Sequence, residues 1–136
     1  MDKRVVVRRI DDSLHFEAVN PSGKRVEVDG SEDEKAMLPI ELLLAAIGSC
    51  SAFDVAMMLE KNGQKIDDLR VEVDGLRREE GECKPYHAMH MVFIFKGQID
   101  RNRAERVVAL AVDKYCSVGA TFRSETEVTY EIKVES

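Results

Sequence analysis

The chain has 136 residues, 44% apolar and 34% charged, with a formal net charge of −6 and a pI near 5.1. A single domain over residues 1–136 is expected, because a chain of this length buries a core without disulfide or metal staples. The acidic balance argues against nucleic acid, which is held by clustered Lys and Arg; the densest cationic run, Arg101, Arg103 and Arg106, alternates with Asn102 and Glu105 and reads as a solvated helix face.

Residues 1–10 mix charge with valines and have no signal-peptide core or cleavage site. The three cysteines form no C-x-x-C pair or regular framework, which points to reduced thiols in the cytoplasm. In chain order, Lys3 to Arg9, Leu14 to Ala18 and Lys24 to Val28 have β character, the last following the turn signal Asn20-Pro21-Ser22-Gly23. An acidic loop, Asp29 to Lys35, leads into the longest apolar stretch, Ala36 to Leu59. Pro39 suits a first helical turn, and Asn62-Gly63 supplies a stop. The helix is apolar on more than one face, so protein is expected to cover most of its sides. A membrane span is set aside because Glu41 and Asp54 interrupt it.

Asp68 to Glu79 and Tyr86 to Lys96 read as a β-hairpin across Glu80 to Pro85. Asp100 caps a helix from Arg101 to about Tyr115, and Ser124 to Val134 alternates as a final amphipathic strand. The order is βββ-α-ββ-α-β, an α+β fold with an antiparallel sheet and two main helices.

Cys50 and Cys116 each belong to an apolar helical stretch. Taken singly, each reads first as a packed small hydrophobe; brought together, they make a thiol redox pair. On the helix Cys50 shares a stripe with Leu43, Ile47 and Asp54, while Glu41 faces away. Asp54 alone would raise the thiol pKa, so a reactive Cys50 needs a cation from elsewhere: Arg8, Arg9, Arg77, Arg78 or, as the first choice, Arg123. Cys116, placed at a helix C-terminus, suits a resolving thiol. Cys83, His87 and His90 follow a C-x3-H-x2-H spacing, but the histidines point to opposite sides of a strand and make no metal site. No glycine-rich phosphate loop or G-x-S-x-G motif is present.

Pro39-Ile40-Glu41-Leu42-Leu43-Leu44-Ala45-Ala46-Ile47-Gly48-Ser49-Cys50 and the segment from Glu105 through Lys114-Tyr115-Cys116-Ser117-Val118 resemble the OsmC/Ohr family of osmotically induced and organic hydroperoxide resistance proteins. The resemblance implies an intertwined homodimer with active sites at the subunit boundary. It further implies a thiol-dependent peroxidase in which Cys50 attacks an organic hydroperoxide and Cys116 resolves the product as a disulfide. No cofactor is implied; an external thiol or dithiol resets the pair. Two positions depart from the family's peroxidases: Ile40 stands where they carry Glu after the helix-initial Pro, and Ile10-Asp11-Asp12-Ser13 lacks their loop Arg. A non-catalytic small-molecule-binding protein or a redox sensor on the same scaffold is the alternative.

Overall fold

The computed structural model describes residues 2–136. Its elements are β1 (Val6–Arg9), β2 (His15–Val19), β3 (Arg25–Asp29), α1 (Pro39–Lys61), β4 (Asp68–Arg77), β5 (Tyr86–Lys96), α2 (Arg101–Leu110), a π turn (Ala111–Tyr115), α3 (Ser117–Phe122) and β6 (Glu127–Glu135). The chain forms two compact units, one ending at Leu43 and one beginning at Leu44. The expected α+β class and strand-helix order hold, with the strands divided between two three-stranded sheets.

The first unit is the antiparallel meander β1-β2-β3. His15 is buried on β2, with Nδ1 2.8 Å from Asp11 and Nε2 2.9 Å from Glu27. Carboxylates only accept, so the protonated ring can donate to both at once. The pair of carboxylates accordingly holds the His15 pKa above its ordinary value, Asp11 contributing most. The buried Asp29 carboxylate accepts from the Ser31 and Lys35 amides and folds the acidic loop on itself.

Pro39 opens α1 because its missing N–H belongs to the unpaired first turn. Glu41 reaches back to accept the Leu38 N–H at 2.9 Å, the return half of a capping box.

In the second unit β4, β5 and β6 form one sheet. Met89, Met91, Phe93 and Phe95 of β5 are fully buried, together with Ala104, Val107 and Val108 of α2. The expectation of a wholly antiparallel sheet is corrected here: β4 and β5 pair antiparallel, but β6 lies parallel to β5, from Ala88 opposite Glu127 to Lys96 opposite Glu135. A parallel neighbour requires a long crossover, and α2, the π turn and α3 supply it. Within this unit α1 comes close to β4 because Gly48 has no side chain; a Cβ there would lie 2.8 Å from Val73 Cγ2. Ile47, Gly48, Ser51, Val55 and Leu59 of α1 are buried, whereas Phe53 is 74% and Met57 50% exposed. Within the single chain, therefore, one face of the helix is covered.

Candidate thiol site

The fold brings Cys50 and Cys116 together. Cys50 lies midway along α1, half-buried. Its sulfur lies beside the Cys116 thiol, and the backbone N–H groups of Val118 and Ser117 act on it. Both cysteines are free thiols. Burial, foremost, and the neighbouring Cys116 push the Cys50 pKa above its ordinary value, and the two amides pull against them.

Cys116 ends one helical segment, as its sequence position suggested, and also begins the next. The α-helix gives way at Leu110 to the π turn. The chain then turns extended at Cys116 (φ −71, ψ 103), and α3 begins at Ser117. Cys116 is therefore an N-cap whose sulfur accepts the Gly119 N–H at 3.3 Å. The residue stands between the carbonyl end of the π turn and the N–H end of α3. Three successive amides, Ser117, Val118 and Gly119, thus face the two sulfurs. Sequence reasoning looked for a side-chain cation and missed them, since a backbone donor has no residue signature; the only hint is the small Ser117 and Gly119 flanking Val118.

The supporting candidates separate. Asp54 is half-buried one turn beyond Cys50 on α1. Glu41 is committed to the start of the helix. Arg77 donates to the Lys84 carbonyl and Arg78 pairs with Glu80, while Arg9 closes its own turn on the Asp12 and Ser13 carbonyls. Arg8 lies exposed on β1. Arg123 donates to the carbonyls of Val112 and Asp113, at 2.9 and 3.3 Å. It stands on the Cys116 side: a Cβ placed on Gly119 would be 3.7 Å from Arg123 Nη2 and 3.5 Å from Cys116 Sγ.

The remaining sulfur and imidazole groups point elsewhere. Cys83 is exposed in the β4–β5 turn, and His90 bonds Thr129 and Glu131. Among the described residues, no group of three or more His, Cys, Asp or Glu side chains forms a metal site.

An α+β chain built around two helix-borne thiols defines a class, and the sequence places the protein within it: residues 30–131 match the OsmC-like protein family, to which this chain belongs. It is similar to Protein YhfA of Escherichia coli K12, 34% identical over 124 residues that cover 90% of this chain and 92% of that one. Among solved structures it resembles a hypothetical protein from Aquifex aeolicus VF5, with a TM-score of 0.83, 30% identity and coverage of 100% and 99% of the two chains. It also shares its fold with the organic hydroperoxide resistance protein OhrB of Bacillus subtilis, with a TM-score of 0.69, 16% identity and 98% coverage of both chains.

Proposed function

We propose that this protein is a thiol-dependent peroxidase that reduces organic hydroperoxides. The observation that carries the reading is the closeness of Cys50 to Cys116, and membership of the OsmC-like family supports it. The Cys50 thiolate attacks the terminal peroxide oxygen; the O–O bond breaks, the alcohol leaves, and Cys50 becomes a sulfenic acid. The Cys116 sulfur then attacks that sulfenic sulfur, releasing water and forming the Cys50–Cys116 disulfide. An external thiol or dithiol returns both to thiols by exchange, with no cofactor. Such chemistry fits a reducing, cytoplasmic setting.

The apolar exposed residues of α1 beyond Cys50, Phe53 and Met57, support a homodimer in which a second copy covers them. An apolar rim beside the thiol suits an organic peroxide better than a charged one.

The deciding measurement is consumption of cumene hydroperoxide with dithiothreitol as reductant. Wild type should turn over, and Cys50→Ser should fall to the uncatalysed rate; equal rates for the two would refute the peroxidase. The elevated Cys50 pKa favours one competing reading, a redox sensor that forms the same disulfide slowly and without turnover. A single-turnover mass loss of two protons with no sustained consumption would select it.

A further inference from the structure

We propose that Arg123 is a positioning residue for the thiol pair: its guanidinium takes over two carbonyls of the π turn and so leaves the Ser117 amide to face Cys50. The argument starts from helix bookkeeping. If the π turn continued, the Val112 carbonyl would accept from the N–H five residues on, that of Ser117, and the Asp113 carbonyl from that of Val118. The chain instead turns extended at Cys116, and the Val118 and Ser117 N–H groups act on the Cys50 sulfur. The Val112 carbonyl is half-buried, where the lack of a donor is costly. Arg123 supplies the replacements, Nη1 to Asp113 at 3.3 Å and Nη2 to Val112 at 2.9 Å.

The geometry needs an arginine. Arg123 caps the C-terminal end of α3, so one side chain ties the end of the helix after Cys116 to the turn before it. A planar fork serves two neighbouring carbonyls at once, which the point charge of a lysine cannot do with the same directionality. The other flank of the turn is held independently: the Tyr130 hydroxyl donates to Asp113 Oδ2 at 3.2 Å. Arg123 therefore acts through the backbone and not as the cation that activates Cys50.

The significance of the pair rests on the redox reading above, but the test does not. In a Cys83→Ser background, the pH profile of Cys50 alkylation by iodoacetamide is compared for Arg123, Arg123→Met and Arg123→Lys. Arg123→Met keeps the stem and loses the donors. Its Cys50 midpoint should move to higher pH, Cys50–Cys116 disulfide formation with diamide should slow about tenfold, and amide exchange at Ser117 should accelerate, with Arg123→Lys between the two. Wild-type values for Arg123→Met in all three readouts overturn the proposal. Should Arg123→Met fail to fold, Arg123→Lys decides: a raised midpoint supports the role and an unchanged one overturns it. Absence of peroxide turnover in wild type would remove the peroxidase and leave these profiles readable.

Discussion

At the scale of single residues the site is governed by a competition at one sulfur. Burial and the Cys116 thiol raise the proton affinity of Cys50, and the Val118 and Ser117 amides lower it. A thiol above its ordinary pKa is mostly protonated at neutral pH, so its reactivity climbs as pH rises toward and past that value. Replacing Cys116 by Ala removes one of the raising influences. The midpoint for Cys50 alkylation in Cys116→Ala should therefore fall below that of wild type; a midpoint that stays put or rises would show that the two sulfurs do not share a proton. Both cysteines were legible as candidates from their apolar helical surroundings. What acts on them was not, because the donors are main-chain groups aimed by a break in the helix at Cys116.

At the scale of elements, the N-terminal meander carries its own electrostatic tie. His15 joins β2 to the β1–β2 turn through Asp11 and to β3 through Glu27, and Lys35 lies 3.9 Å from the same Asp11 carboxylate. The folded-state pKa of His15 is raised, so its contribution is fully present below about pH 6.5, the ordinary histidine value, and is lost as pH rises through the folded value. Thermal stability of wild type should decline over that alkaline interval relative to His15→Gln, whose profile should be flatter there; parallel profiles would dismiss the tie. Alternating strands, the Pro39 start and the Asp100 cap could be read locally. The π turn, α3 and the parallel placement of β6 could not, since strand alternation is the same for either direction of pairing. Likewise, nothing in the spacing of Ala111 to Tyr115 distinguishes a π turn from an α-helix.

At the scale of the molecule, α1 is long and apolar enough to cross a membrane, yet it has a buried face of Ile47, Ser51, Val55 and Leu59 and an exposed one. A groove of about 240 Å³ beside it is lined by Leu44, Leu69, Val71 and Val73 with the small Ala45, Gly48, Ser49 and Ala52. The proposed dimer would use the apolar surface of α1. Phe53→Glu should convert the proposed dimer to monomer in sedimentation and slow peroxide turnover with it; a dimer that survives would move the interface elsewhere. In the proposed dimer the acidic charge of each chain, −6, would give like-charge repulsion that short-range burial must outweigh.

Cys83, exposed in its turn, falls midway along the polypeptide between the other two thiols. In an unfolded chain the shorter loops win: closing either half is favoured over closing the whole by about 0.6 kcal/mol. Oxidation before folding would accordingly enrich mispaired crosslinks to position 83, and only the native helices reverse that preference. Recovery from denaturant is thus best begun under reducing conditions, with oxidant admitted once the helices have docked.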